Sequence, residues 1–256
     1  MTTKEKILNL LEVNTDYISG QDIAESLGIS RNAIWKAINE LKKDGYNIEA
    51  VRNRGYRLAA GTDIISSAGI MAYISDSKSS RISSIQVYDS LLSTNRTAKE
   101  LAIGGAESGT VIIANTQTLG RGRADHSFFS PEGGIYMSVI MKPNDLPYST
   151  NDEITTFIGN SVCDAISDIT DITPRLKPIN DLFIGDKKFC GILTEAGSEF
   201  ETGTLQWIVV GIGINFSSDI SIFPEEIKNK ATSLFATGHA PISRNQLIAE
   251  ILMKLF

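Results

Sequence analysis

Cysteine and histidine are scarce in this sequence, two of each in 256 residues. Cys163 and Cys190 form no CxxC pair, so neither a disulfide framework nor a cysteine zinc site is indicated. His126 and His239 are too few for a histidine-based metal site. Long apolar runs are missing as well: stretches such as 207–210 fall far short of the roughly 20 residues of a membrane helix. The N-terminus, MTTKEKILNLLE, carries charge where a signal peptide needs an apolar core. These absences point to a cytoplasmic chain with no membrane association. There is no Walker A sequence, and Gly211-Ile212-Gly213-Ile214-Asn215 runs into Phe216 without completing GxGxxG, so a P-loop and a Rossmann fingerprint are both unsupported.

Positive net charge is lacking too, at −6, but the deficit is local. Residues 1–60 hold nine Lys/Arg against eight Asp/Glu, whereas the remainder holds 15 against 22. Residues 30–57 carry seven basic groups (Arg31, Lys36, Lys42, Lys43, Arg52, Arg54, Arg57) against three acidic ones, the footprint of a nucleic-acid reader. Ile7, Leu10 and Leu11 mark one face of a first helix, and Ile23, Ala24 and Leu27 a second beginning after Ser19. Gly28 breaks the chain. Ser30 then caps a third helix with an apolar stripe at Ile34, Ala37, Ile38 and Leu41 and an opposite face of Arg31, Asn32, Trp35, Lys36 and Asn39. YNIEAV and GYRL read as short strands around a basic tip, Arg52-Asn53-Arg54-Gly55. This is a winged helix-turn-helix, with Ser30, Arg31, Asn32, Trp35, Lys36, Arg52 and Arg54 as its DNA-facing residues. The competing reading is a three-helix protein-docking module, and Trp35 suits either packing on a neighbouring domain or contact with a DNA backbone. AAGTDIISS opens a small, polar linker assigned to residues 61–82.

From residue 83 to 256 strand-like and helix-like segments alternate, which predicts a mixed α/β architecture with a mainly β core. SSIQVY, TVIIAN, GIYMSVIM, KKFCGILTEA and LQWIVVGIGINF are the β-rich segments; TNRTAKELAIG, EITTFIGNSVCDAISDI and SRNQLIAEILMKLF have helical spacing. Four polar groups interrupt them. Ser93-Thr94-Asn95 opens a helix, either as a plain cap or as a cap with spare hydroxyls for a polar ligand. Gln117 precedes Gly120-Arg121-Gly122-Arg123, where glycines permit close backbone approach and two guanidiniums suit a carboxylate and a phosphate; a merely solvated Arg-Gly loop is the alternative. Lys177, Asn180 and Asp181 precede a Gly185-Asp186 turn and Lys188 on the returning strand; Asn and Asp there suit magnesium or ribose oxygens, although such tips are usually surface decoration. Asn215 ends GIGIN. Together these residues suit adenylation of a carboxylic acid, in which two arginines and a lysine neutralise the acid and the α-phosphate.

The order of motifs is more specific than any one of them. STN, Q-x-x-GRGR with its aromatic-Ser-Pro segment and GGIYMS, K-x-x-ND, KKFCGILTE and GIGINF, behind a winged helix, resemble the bifunctional biotin protein ligases that also act as biotin operon repressors. The resemblance spans essentially residues 1–256. It implies an α+β chain: a winged domain over 1–60, then a class II aminoacyl-tRNA synthetase-like mixed-sheet catalytic domain over 83–256. Biotin and ATP would give biotinyl-5′-AMP with Mg2+, and the biotinyl group would pass to a lysine of a biotin carboxyl carrier protein of acetyl-CoA carboxylase. Biotin would be held by Ser93, Thr94, Asn95, Gln117, Gly120, Arg121, Gly122, Arg123 and Lys188. ATP and magnesium would be held by Lys177, Asn180, Asp181 and Asn215, the metal itself by Asn180 and Asp181; Lys188, Arg123 and Asp181 would be catalytic. The adenylate would order the arginine loop and promote a homodimer that reads a palindromic operator. The sequence departs from the pattern in three places. Ala124-Asp125-His126 replaces a further Gly-Arg pair, with His126 as a solvated loop residue. Pro178 stands where the family usually has Trp. The last helix, ending at Phe256, is the one that normally precedes a small C-terminal β-barrel, so that barrel is expected to be absent from this sequence. The alternatives are a biotin-sensing regulator with weak or no ligase activity, and a lipoate ligase, disfavoured because no Arg-Arg-x-x-Gly-Gly segment occurs.

Overall fold

The computed structural model describes residues 2–256 apart from 15, 44, 60–62, 147, 149, 178, 179 and 200, and only the backbone of Asp76 and Asp125. The chain divides into two bodies, Met1–Ile74 with Ser243–Ala249, and Ser75–Ile242 with Glu250–Phe256.

Local capping sets the helices of the first body. In α1 (Thr3–Val13), Thr2 Oγ1 accepts from Glu5 N at 3.2 Å and the Glu5 carboxylate accepts from Thr2 N at 2.7 Å. Ser19 Oγ accepts from Asp22 N at 3.1 Å to start α2 (Gly20–Leu27), which stops at Gly28, left-handed at φ 63°. Ser30 Oγ accepts from Ala33 N at 3.2 Å and starts α3 (Arg31–Lys43). The stripe Ile34, Ala37, Ile38 and Leu41 is buried as its spacing predicts, against Ile7, Leu8, Leu11 and Ile23. In α1 it is Leu8 that completes the buried face, while Leu10 is half-buried, because the face turned to α3 runs through 7, 8 and 11. Strands β1 (Ile48–Val51) and β2 (Gly55–Leu58) form an antiparallel hairpin with Val51 opposite Gly55. Gly55 cannot carry a side chain: its φ is 106° and a Cβ would stand 1.9 Å from the Ile18 carbonyl oxygen.

The segment expected as linker is more structured than its composition suggests. It holds α4 (Ser67–Met71), with Ala68 and Ile70 buried, and α5 (Asp76–Ser79). Short turns of small residues, only the first capped by a side chain, leave little periodicity to read. Residues 243–249 complete the first body. Arg244 donates from Nε to Asp63 Oδ2 and from its backbone N to Asp63 Oδ1, both at 2.8 Å. Buried Asn245 donates to the Ile64 carbonyl at 2.9 Å and to Glu12 Oε1 at 3.3 Å, and accepts from Ser66 N at 3.1 Å.

The second body is built on one seven-stranded sheet in the order β3-β4-β5-β9-β8-β7-β6. Its elements are β3 (Ser84–Leu91), α6 (Thr94–Ile103), β4 (Thr110–Gln117), β5 (Ile135–Met141), α7 (Asn151–Ile169), β6 (Arg175–Lys177), β7 (Asp181–Ile184), β8 (Lys187–Ser198), β9 (Leu205–Ile214) and α8 (Glu225–Lys228), with residues 250–256 of α9 (Arg244–Leu255) and its following residue. Only β3 and β4 pair in parallel, with α6 as their crossover; the other pairs are antiparallel. All seven residues of central β5 are buried, so its sequence IYMSVIM shows no alternation. Ala98 and Ala102 of α6 pack on Ile112, Ile140 and Val209. Among the described residues no helix is long and apolar enough to cross a membrane.

Burial pushes the Glu12 carboxyl up to about 7, and the nearby Asp63 charge adds to the effect against the hydrogen bond from Asn245. The folded chain therefore keeps a proton that the unfolded chain releases near 4.5. This contribution is complete below that value and is lost as pH rises through about 7. Glu12→Gln should stabilise the first body by about 2 kcal/mol at about pH 8 and flatten its pH dependence. Hydrogen exchange of the α1 amides across that range checks this; equal protection in both proteins would contradict it.

Candidate functional site

The polar groups singled out in the second half of the sequence converge at one end of the sheet. Ser93, Thr94 and Asn95 sit where β3 hands over to α6, and Gln117 closes neighbouring β4, paired with Leu91. The Arg121–Ser127 loop follows β4, while Asp181 begins β7 and Lys188 lies near the start of β8. A cavity of about 550 Å³ is lined by Ser93, Thr94, Asn95, Gln117, Arg121, Gly122, Arg123, Asn180, Asp181 and Lys188, among others.

Its floor is bare backbone. Gly191 pairs with Gly213 across β8 and β9, and Leu193 pairs with Gly211. A Cβ on Gly211 would stand 2.0 Å from Asn95 Oδ1, and one on Gly213 would stand 2.7 Å from the Phe128 ring. A Cβ on Gly191 would meet the same ring at 3.2 Å and Lys188 Nζ at 3.3 Å. The glycines of GIGIN, which fail as a dinucleotide fingerprint, thus admit Asn95 and Phe128 onto the sheet. Phe128 is braced edge-on against Tyr136, with ring centroids 6.3 Å apart.

At one end the lining is neutral and hydrogen-bonded. Thr94 N donates to Gln117 Oε1 at 2.8 Å, and Gln117 Nε2 donates to Ser130 Oγ at 2.9 Å. Asn95 is 4% exposed and its carboxamide is fully engaged: Nδ2 donates to Leu193 O at 3.2 Å and Glu195 Oε2 at 2.9 Å, and Oδ1 accepts from Ser138 Oγ at 2.6 Å. Glu195 is also paired with Lys99 Nζ at 2.6 Å. Sequence reasoning did not assign roles to Ser138, Glu195 and Lys99. The one legible sign was a serine inside the otherwise apolar IYMSVIM.

The other end is charged. Lys188 Nζ lies 2.7 Å from Asp181 Oδ1, both side chains about one-third exposed, and 6.0 Å from the centroid of the Phe128 ring. Asn180 Nδ2 donates to Ile192 O at 3.0 Å, and its side-chain oxygen has no partner among the described residues. Arg121 and Arg123 are exposed at the rim and form no ion pair among the described residues. Their loop is held by Gly122 N donating to His126 O at 2.7 Å and Phe128 N donating to Gly120 O at 2.8 Å, with Ala124 left-handed at φ 54°. His126 is exposed and also lines the cavity. Burial raises both thiols, Cys163 to about 11 and Cys190 further, so neither is a thiolate nucleophile at neutral pH.

Three expected ligand residues do not line this cavity. Gly120 packs beneath the loop, where a Cβ would stand 2.3 Å from Phe128 O. Lys177 is exposed on β6, its ammonium 3.9 Å from the centroid of the Phe183 ring. Asn215 is buried; its Nδ2 donates to Thr232 O at 3.1 Å and its Oδ1 has no partner among the described residues. Pro178 and Ile179 lie outside the described residues.

In the first body, Arg31 and Arg52 line one shallow concavity with Asn53, which joins the start of α3 to the wing. Gln21 Oε1 accepts from Arg31 Nε at 3.1 Å, so α2 positions that guanidinium. Arg54 stacks 4.4 Å above the Tyr17 ring. Arg57, counted above in the basic excess, is bound to Glu49 at 2.7 Å and contributes little free charge. Asn32, Trp35 and Lys36 are exposed on α3, Trp35 at 60%, and Ser30 serves as the cap.

A helix-turn-helix body of this kind and a ligand cavity at one end of a mixed sheet define a regulator fused to an enzyme. Family models agree: an HTH domain matches residues 3–57, and the biotin/lipoate A/B protein ligase family matches residues 87–215. The bifunctional ligase/repressor BirA of Bacillus subtilis (strain 168) is 37% identical over 98% of this chain and 77% of that protein. BirA of Escherichia coli (strain K12) is 29% identical over 99% of this chain and 75% of that protein. Among solved structures, biotin protein ligase from Aquifex aeolicus in complex with biotin and ATP aligns with a TM-score of 0.57 at 30% identity, covering 68% of this chain and 69% of that one. The chain belongs to the bifunctional ligase/repressor family.

Gly211→Ala should cost about 2 kcal/mol, since the added methyl cannot coexist with buried Asn95 in its present position. Urea unfolding measures this, and an unchanged midpoint would show that Asn95 can move freely.

Proposed function

We propose that this chain is a biotin-protein ligase and a biotin-responsive repressor of genes for biotin synthesis or transport. A biotin carboxylate oxygen attacks the α-phosphorus of ATP, giving biotinyl-5′-AMP and releasing pyrophosphate. The amine of a lysine on a biotin carboxyl carrier protein then attacks the acyl carbon, and AMP leaves with the electron pair of the broken C–O bond. One observation carries the reading. A single cavity has a neutral hydrogen-bonding end at Thr94 and Gln117 and a cationic end at Lys188, Arg121 and Arg123. That polarity matches a ligand with an uncharged cyclic urea at one end and a carboxylate joined to phosphate at the other.

Ser93, Thr94 and Gln117 hold the ureido ring, with Asn95 behind them joined to Thr94 through Ser138. Lys188 neutralises charge on the carboxylate and the α-phosphate, where a dry, prearranged cation is most effective. Arg121, Gly122 and Arg123 cover the adenylate and keep water from the anhydride. Asp181, beside Lys188, takes the proton from the acceptor amine. Asn180 and Asp181 offer one carboxylate and one uncommitted carboxamide oxygen, a set that fits magnesium when nucleotide phosphates supply the remaining ligands. Bound there, the ion supplies charge neutralisation. No group of three or more His, Cys, Asp or Glu placed to hold a metal occurs among the described residues, so the phosphates are needed.

On the regulatory side, the adenylate orders the arginine loop and favours a homodimer, which presents two winged bodies to a palindromic operator. Arg31, Asn32, Trp35, Lys36, Arg52 and Arg54 make the DNA contacts, with Ser30 fixing the start of their helix.

Biotin-dependent pyrophosphate release in the presence of ATP and magnesium tests the enzyme half. Lys188→Ala should reduce it at least about a hundredfold without changing the melting temperature, because the ammonium faces the cavity. Undiminished release would remove Lys188 from the chemistry. Release with lipoate in place of biotin would reassign the substrate, and biotin-responsive DNA binding without any release would leave a sensor rather than an enzyme. For the reader half, Arg31→Ala and Arg52→Ala should each lower the salt slope of operator binding by about one unit. Slopes equal to that of the unsubstituted protein would place these residues off the DNA.

A further inference from the structure

Resting on the DNA-reading half of the proposed function, we infer that Tyr17 is a positioning residue of that reader: its ring holds the wing arginine, Arg54, ready for a backbone phosphate. Tyr17 is half-buried between α1 and α2, outside both the recognition helix and the wing.

The ring is mounted on the hairpin. Glu49 of β1 faces Arg57 of β2 across the ladder. One oxygen of its carboxylate, Oε2, accepts from Arg57 Nη2 at 2.7 Å and from the Tyr17 hydroxyl. Arg57 also lies over the Tyr17 ring, 4.6 Å from its centroid. Because Glu49 balances its charge, Arg57 serves here as part of the mount. The next residue binds the same hairpin through its backbone: Ile18 N donates to Tyr56 O and Tyr56 N to Ile18 O, each at 2.9 Å. Tyr17 is thus tied by its hydroxyl, by its ring and by the chain that follows it to the element that carries the wing.

Arg54 differs from Arg57 in having no carboxylate. Its guanidinium carbon stands 4.4 Å from the Tyr17 centroid, and its side chain forms no ion pair or hydrogen bond among the described residues. Stacking uses the flat face of a guanidinium and leaves its in-plane N–H groups free. A carboxylate would orient the group and neutralise it; an aromatic ring orients it and leaves the charge whole. A phosphate arriving at the wing therefore meets a full charge on a side chain already restricted in its rotamers. The backbone beneath is closed as well: Arg54 N donates to Val51 O at 3.1 Å, and Asn53 takes a left-handed φ of 66°, which asparagine tolerates in a turn. The same segment reaches the other half of the reader. Ser19 caps α2, and Gln21 on α2 accepts from Arg31. Residues 17–21 thus link Arg54 on the wing to Arg31 at the start of α3, and they set the spacing at which the two guanidiniums meet a duplex.

A thermodynamic cycle on the full chain tests this, with biotin, ATP and magnesium present and a mixed-sequence DNA duplex of about 30 base pairs as the probe, at about 0.1 M salt. Arg54→Ala should weaken binding about tenfold in the unsubstituted chain, the loss of one phosphate contact. With Tyr17→Leu already in place, the same substitution should weaken it no more than about threefold, because Arg54 has lost its platform. Tyr17→Phe keeps the ring and loses only the hydroxyl contact, so Arg54→Ala should there retain at least about a fivefold effect. A merely structural role for Tyr17 would lower affinity in Tyr17→Leu without changing the Arg54→Ala factor. That result overturns the inference while leaving DNA reading intact, as does a factor that collapses equally in Tyr17→Phe, or an Arg54→Ala substitution without effect in the unsubstituted chain. An unsubstituted chain that does not bind the duplex at any salt concentration overturns both.

Discussion

The glycine floor formed where β8 meets β9 is the constraint on which the site depends. Gly191, Gly211 and Gly213 lie at neighbouring positions of one antiparallel ladder. The backbone is thereby the surface against which Asn95 and Phe128 rest, and any Cβ at 211 or 213 would occupy their volume. Strand interiors disfavour glycine because it loses more conformational freedom and packs nothing. The sheet offsets that cost by burying the other residues of the same strands, Ile192, Ile212 and Ile214, which lie at most 2% exposed. Stability is thus drawn from one face of the ladder, and the other is left bare as the cavity floor. Lys188 and Asp181 also depend on this ladder, since β8 carries the lysine and pairs with the strand that begins at the aspartate.

How much of this was legible depends on the kind of signal. The α3 stripe could be read from its spacing because a single amphipathic helix carries its whole pattern within about two to three turns. The cavity groups at 93–95, 117, 121–123, 180–181 and 188 were visible as polar interruptions of apolar strands, and the fold brings them to one cavity. The Glu195–Asn95–Ser138–Thr94 chain was not legible. Its links join residues about 100 and 43 positions apart, and each partner alone resembles an ordinary surface or cap residue. Lys177 shows the converse. Three positions before Asn180 in sequence, it sits on an edge strand with its ammonium over Phe183, because closeness in sequence does not fix which way a side chain leaves its strand.

Charge follows the same division of labour. The overall −6 says nothing about DNA, because the acidic excess lies beyond residue 60. Even the local basic excess overstates the free charge, since Arg57 is held by Glu49. What remains is geometric: Arg31 oriented by Gln21 on α2, and Arg52 beside it on the wing, sharing a concavity. A guanidinium held by a neutral carboxamide keeps its full charge while losing its rotamer freedom, which favours phosphate contact over a solvated surface role.

In the proposed function the arginine loop is where the chemistry and the regulation meet in energetic terms. It is held by backbone hydrogen bonds from Gly122 N to His126 O, from His126 N to Arg123 O and from Phe128 N to Gly120 O, while Ala124 adopts a left-handed conformation that costs about 1 kcal/mol for a residue with a Cβ. Arg121 and Arg123 both line the cavity at its rim, without a carboxylate partner among the described residues. An anion bound there adds charge-assisted hydrogen bonds of about 1.5–3 kcal/mol each. A bound phosphate would therefore more than offset the strain at Ala124. A further Gly-Arg pair in place of Ala124-Asp125-His126 would relieve the strain but add a third like charge. This chain accepts the strain and avoids the charge.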